Sequence, residues 1–153
     1  MRKVLHFDSS RAHYDCDAAV VWCYDNRFEL ALRKLLKRTG VLRPDQIRVA
    51  GGAKCLSTPD LETDRQFVLE QIRKSARLHG TDTVILMVHS DCGAYGGLAA
   101  FGGDAQAELR HHCEELGRAA ACLRQALPEI SQVRCYYVDF DGVWMPDADP
   151  ASA

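Results

Sequence analysis

Residues 84–97 read VILMVHSDCGAYGG, an unbroken apolar run that ends in a histidine, an aspartate, a cysteine and a glycine-containing turn. Five large apolar residues in a row, with no alternation, predict a strand buried on both faces, as in a parallel sheet covered by helices. The reactive side chains all fall at its carboxyl end. In parallel α/β sheets that is the end where ligands bind, at the point where the strand order reverses.

Strand-like and helix-like segments alternate on both sides of this run. Residues 18–24 (AAVVWCY) repeat the continuous apolar pattern, and 46–50, 83–88 and 133–138 read as further strands, with short ones over 4–7 and 143–145. Phe28, Leu32, Leu35 and Leu36 recur at helical spacing before Gly40, which suits the position just past a helix end. Thr58-Pro59 predicts an N-cap and first helical position for a helix that buries Leu69, Ile72 and Ala76 and stops near Gly80. Leu109, Cys113, Leu116, Ala120, Leu123 and Leu127 form an apolar stripe that Pro128 ends. This alternation predicts a three-layer α/β fold, a mainly parallel sheet with helices on both faces. One domain over 1–153 is expected, with its core at about 18–138 and a frayed acidic tail at 147–153.

Composition narrows the function classes. A net charge of −2 over 153 residues supplies no basic field for nucleic acid or an anionic membrane surface. The longest apolar run, 18–24, is far shorter than the roughly 18 residues of a membrane span. MRKVLHFDSS has no apolar stretch of the secretory kind, and an odd count of seven cysteines does not read as a disulfide framework. A cytoplasmic protein is expected, where cysteines are buried, metal-bound or catalytic.

The first buried strand ends in CYDNR (Cys23, Asp25, Arg27) and the third in HSDCG (His89, Cys92, Gly93). If these strands adjoin at the switch point, Cys23, His89 and Cys92 converge in one crevice. Two thiolates and an imidazole suit tetrahedral zinc, with a fourth position free for water. Gly93 would let the backbone turn away without placing a side chain there. Taken singly, Cys23 reads as a small buried hydrophobe and His89 as a satisfied polar residue. Their pairing at two strand ends, each with a charged neighbour, is what points to a metal.

CYDNR followed by HSDCG resembles the β-class carbonic anhydrases, whose pattern is C-x-D-S-R, then R-N-A-G-N, then H-x-x-C-G. Arg48-Val49-Ala50-Gly51-Gly52 lies where the middle segment belongs and keeps its Arg, Ala and Gly. The resemblance implies one zinc ion per chain on Cys23, His89 and Cys92, with Asp25 and Arg27 as a dyad beside it. It implies reversible hydration of CO2 to bicarbonate by zinc-bound hydroxide. Asp25 would orient the hydroxide, and Arg27 would hold Asp25 ionised and away from the metal. The two thiolates neutralise the ion, so such a site acidifies its water less than an all-histidine one.

The sequence departs from that pattern at Asn26, Val49 and Gly52. Fewer than twenty residues precede the first core strand, where the resemblance implies a helical arm that embraces a partner subunit. A homodimer or higher homo-oligomer is therefore expected through a reduced or different interface. Two alternatives stay open: hydrolysis of another small heterocumulene such as COS or CS2, and a non-catalytic zinc-binding protein of the same fold.

Other clusters carry less. His111, His112 and Cys113 are adjacent on a helix and point in different directions. GGAKCLST lacks the spacing of a phosphate loop. His6, His13 and His79 have no partner pattern, and Cys16, Cys55, Cys122 and Cys135 read as packing or loop thiols.

Overall fold

The computed structural model describes residues 1–146. Among them, β1 (Ala18–Trp22), β2 (Pro44–Arg48), β3 (Thr83–His89), β4 (Gln132–Val138) and β5 (Val143–Trp144) form one sheet in the order β2-β1-β3-β4-β5. β2, β1, β3 and β4 run parallel, and β5 returns antiparallel to β4. The chain goes from β1 outward to β2 and then crosses back to β3 on the other side of β1. The order thus reverses between β1 and β3, the two strands that carry CYDNR and HSDCG.

Every residue of β1 and β3 is buried, and successive side chains serve opposite faces. Ala19, Val21, Val84, Leu86 and Val88 pack against α3 (Glu62–His79) and α4 (Ala105–Ala126) through Val68, Leu69, Ile72, Leu116, Ala119 and Leu123. Ala18, Val20, Trp22, Ile85 and Met87 face the other way, onto Phe28 and onto Leu32, Leu35 and Leu36 of α1 (Glu29–Arg38). Fully burying each large aliphatic side chain contributes on the order of 1.5–3 kcal/mol. The predicted three-layer α/β architecture is the one observed, with two long helices on one face and one on the other.

Three local expectations need correction. Residues 4–7 form no strand; Val4, Leu5 and Phe7 are exposed and have no neighbouring strand to complete a ladder. Thr58 does not cap α3. It closes the short helix α2 (Lys54–Ser57) at its C-terminal end, α3 begins at Glu62, and the Thr58 hydroxyl donates to Glu115 at 2.6 Å. That demand comes from Glu115, a fully buried carboxylate on α4 that also accepts from Ser57, Tyr95 and Arg118. The β2 strand lies two residues earlier than predicted, with Pro44 at its first position, where proline is tolerated. The expected tail at 147–153 lies outside the described residues.

The inward face of α4 holds a larger surprise. Glu108, His112 and Glu115 are buried and continue the line of Ala119, while Leu109 and Cys113 are only half-buried beside it. His112 is fully buried among the rings of Tyr95, Phe101 and Tyr137, with Glu108 3.6 Å from its Nε2 and His111 alongside. Burial pushes its pKa from 6.5 down to about 4, so the ring is neutral in the folded protein at neutral pH. The unfolded chain takes up this proton near pH 6.5 and the folded one only near pH 4, so stability is lost as pH falls across that window. Burial shifts Glu108 the opposite way, upward, and partly offsets this. The difference between wild type and His112→Leu isolates the imidazole. The wild type should lose up to about 3 kcal/mol more than the variant between those pH values, read from urea unfolding. Parallel pH profiles for the two proteins would count against a neutral buried imidazole.

Candidate metal centre

Cys23 follows the last residue of β1, His89 is the last residue of β3, and Cys92 opens the turn Gly93–Tyr95. All three are buried, and their ligand atoms lie within 4.8 Å of one another. Among the described residues this is the one group of three or more His, Cys, Asp or Glu side chains that gathers closely enough to hold a metal ion. His111, His112 and Cys113 form no such group.

The chemistry of the donor atoms fits zinc. Nδ1 of His89 lies 2.8 Å from the carbonyl oxygen of Ser90, which can only accept, so Nδ1 carries the proton. Nε2 then presents its lone pair, and it is buried without a hydrogen-bond partner. An imidazole oriented through its far nitrogen is the usual arrangement of a metal ligand. The Cys23 thiol is pulled down, first by the hydrogen bond from Cys92 and then by the amides of Asp25 and Gly51. Cys92 is pushed up by that same bond and by burial, while the Ala94 amide favours its thiolate. The two sulfurs thus share a proton that a cation would displace.

Asp25 and Arg27 meet as a fork. Arg27 donates from Nε to both carboxylate oxygens of Asp25, at 3.1 and 3.0 Å, and from Nη2 to Oδ2 at 2.7 Å. The Arg27 amide adds a bond to Oδ1 at 2.9 Å. These contacts, led by the guanidinium, hold the Asp25 carboxyl below its ordinary range. Asp25 Oδ2 also lies 3.9 Å from His89 Nε2, so the carboxylate faces the ligand group. Phe28 and Phe140 flank the Arg27 guanidinium at 5.7 and 5.6 Å, and Phe28 and Trp22 pack against the His89 ring.

Sequence reasoning gave Asp91 no role, yet it completes this arrangement. Its Oδ2 and its carbonyl oxygen each accept from Arg27 at 2.9 Å, and its Oδ1 accepts from the Leu98 amide at 3.0 Å. The available signal was its charge, set between two ligands in HSDCG. Asp91 also makes the turn expected of Gly93. It has φ 51°, the one positive φ outside glycine among the described residues, whereas Gly93 has open space around it and no left-handed φ.

The middle segment shows what its glycines do. The Gly51 amide points at the Cys23 sulfur. Gly52, with φ 56°, passes so close to β3 that a Cβ there would sit 2.3 Å from the Met87 carbonyl oxygen. Asn26 is exposed, and Val49 packs against the core face that carries α3 and α4. Arg48 is engaged with Glu29 at 2.5 Å. A cavity of about 350 Å³ has Tyr24, Val49, Ala50, Lys54, Phe67 and Ala94 in its wall, and Cys23, His89 and Cys92 do not line it.

The sequence profile of the family described as "Putative carbonic anhydrase" matches residues 12–145. A search of curated proteins returns no significant match. Among solved structures, the fold is similar to a carbonic anhydrase from Streptococcus mutans, at 19% identity and a TM-score of 0.61, over 92% of this chain and 88% of that one. It is also similar to β-carbonic anhydrase isoform I of Trichomonas vaginalis, at 14% identity and a TM-score of 0.58, over 92% and 87% of the two chains. The β-carbonic anhydrase CafA of Aspergillus fumigatus matches at 18% identity and a TM-score of 0.56, over 91% and 79%. With the profile spanning most of its length, the chain belongs to the family described as putative carbonic anhydrase, and its fold is similar to that of β-carbonic anhydrases.

Proposed function

We propose that this protein is a zinc enzyme that interconverts CO2 and bicarbonate, with one ion per chain held by Cys23, His89 and Cys92. The convergence of these three ligand atoms within 4.8 Å, with Asp25 turned toward them, carries the reading. Zinc bound there would supply the Lewis acidity that makes water nucleophilic near neutral pH.

The remaining work falls to the chain's own groups. The Asp25 and Gly51 amides stabilise the Cys23 thiolate, and the Ser90 carbonyl fixes the His89 tautomer. Asp25, kept ionised by Arg27, is an acceptor for the proton of the attacking water and aims the water's lone pair at the carbon of CO2. Arg27 grips both oxygens of Asp25 and keeps the carboxylate from swinging in as a fourth ligand. Trp22 and Phe28 screen the His89 ring from solvent. In the hydration direction the water oxygen bonds to carbon, bicarbonate leaves, and one proton passes to solvent or buffer.

The reading includes a single domain acting as a cytoplasmic homo-oligomer. Exposed Val4, Leu5, Phe7, Phe140, Trp144 and Met145 are apolar surface consistent with assembly. No helix of the described residues is long and apolar enough to cross a membrane. Stopped-flow CO2 hydration by zinc-loaded protein is the test, with a rate above buffer background expected at pH 9 and a lower one at pH 7. No rate at either pH overturns the proposal. Sulfide release from COS outpacing CO2 hydration would move the substrate to that heterocumulene.

A further inference from the structure

Glu108 is 1% exposed, a carboxylate inside the core with no role in the chemistry above. Its neighbour Glu115 is accounted for, since Ser57, Thr58, Tyr95 and Arg118 all donate to it. Glu108 does something different. Its Oε1 accepts the backbone N–H of Asp91 at 2.7 Å, and His112 Nε2 lies 3.6 Å from the same oxygen. A buried carboxylate is retained at a high desolvation penalty, so the group that it holds is the place to look for its use.

That group is the turn between two ligands. His89 and Cys92 are separated by Ser90 and Asp91, and Asp91 adopts the left-handed backbone that a residue with a side chain disfavours. The turn is pinned from several sides. Ser90 donates its amide to the Val138 carbonyl at 2.8 Å, which ties the start of the turn to β4. Arg27 grips the Asp91 carbonyl and carboxylate from the solvent side. Glu108 takes the Asp91 N–H from the core side. Without that acceptor the part-buried N–H would lose its partner, and the peptide would be driven to rotate. Rotation would move Cys92 relative to His89 and shift the oxygens that hold Arg27, and through Arg27 the Asp25 carboxylate.

We propose that Glu108 is a positioning residue for the metal centre, setting the His89–Cys92 spacing and the Arg27 grip through its hydrogen bond from the Asp91 amide. This rests on the metal reading of Cys23, His89 and Cys92. The need is for an acceptor at that point, so Glu108→Gln, whose amide oxygen can take the same bond, should nearly preserve the site. Glu108→Asp keeps the charge but withdraws the acceptor by one methylene, and Glu108→Leu removes it.

Zinc affinity, measured by competition with a chromophoric chelator at fixed pH, reads the effect without recourse to turnover. Wild type and Glu108→Gln should agree within about threefold, while Glu108→Asp and Glu108→Leu should bind about 10–100-fold more weakly, the range for groups that orient ligands. Cobalt-substituted Glu108→Asp should also show a shifted ligand-field spectrum, which a general loss of stability would not produce. Asp and Leu variants with wild-type affinity and spectrum overturn the proposal. If both fail to fold, the wild type still decides: slow hydrogen exchange at the Asp91 amide is expected, and exchange at the rate of an exposed amide overturns the inference. Wild-type protein that binds no zinc defeats the metal reading itself, an outcome distinct from any result confined to Glu108.

Discussion

Cys23→Ser protein will retain less than about a tenth of the zinc found in wild type, with an affinity loss of about 100-fold or more. The wild type is expected to carry about one ion per chain. A serine hydroxyl does not ionise near neutral pH, and its oxygen sits on a shorter bond than the sulfur it replaces. The amides of Asp25 and Gly51 that favour the thiolate would point at a neutral oxygen instead. Asp25, whose carboxylate lies 3.9 Å from His89 Nε2, is gripped by Arg27 and so is held from taking the place of Cys23. Asp25→Ala gives the contrasting result. It should keep the zinc, since the three ligands are intact, and lose CO2 hydration by on the order of 100-fold. Metal analysis of the purified proteins, paired with stopped-flow rates, separates holding the ion from using it. Full zinc content in Cys23→Ser would sink the ligand assignment.

Gly52→Ala will lower the melting temperature by roughly 10 °C, corresponding to about 3 kcal/mol or more. Two effects combine. The residue sits at φ 56°, which a Cβ disfavours by about 1–2 kcal/mol. Its Cβ would also stand 2.3 Å from the Met87 carbonyl oxygen and 3.1 Å from the Cys23 amide nitrogen. Both contacts are backbone, so no side chain can rotate away. Met87 lies two residues before His89, and relief of the clash has to push the ends of β1 and β3 apart. Zinc content should fall along with stability. Gly52→Asn, which restores the residue of the resembled pattern, should be at least as damaging. The departure at position 52 is therefore a requirement of this chain's close packing between β3 and the loop after β2. An unchanged melting temperature in Gly52→Ala would show that the loop can relax away from β3.

Much of the architecture was legible beforehand, because continuous apolar strands and helical stripes report burial directly. VILMVH and AAVVW are buried along their whole length, and Leu32, Leu35 and Leu36 face the sheet as their spacing implied. Legibility failed where a polar group was placed inside. Glu108, His112 and Glu115 look like solvent-facing residues of α4, yet they line its inward face: Asp91 donates to Glu108, Ser57, Thr58 and Tyr95 donate to Glu115, and His112 is enclosed by the rings of Tyr95, Phe101 and Tyr137. Thr58 misled for the same reason. A hydroxyl before a proline reads as a helix cap until the carboxylate that claims it is seen.

The sequence by itself pointed to the kind of site: which residues could bind a metal, and that they lay at the ends of buried parallel strands, with the Asp25–Arg27 dyad implied by the resemblance. Those properties are local, resting on side-chain chemistry and on periodicities of a few residues. Only the tertiary structure decided how the site is held. Asp91, with its left-handed turn, joins the dyad through Arg27. Gly52 is glycine because β3 passes too near for a side chain, and Glu108 reaches the Asp91 amide from α4. Each of these is a contact between segments far apart in the chain, set by how the helices and strand ends pack, and no local pattern encodes such distances.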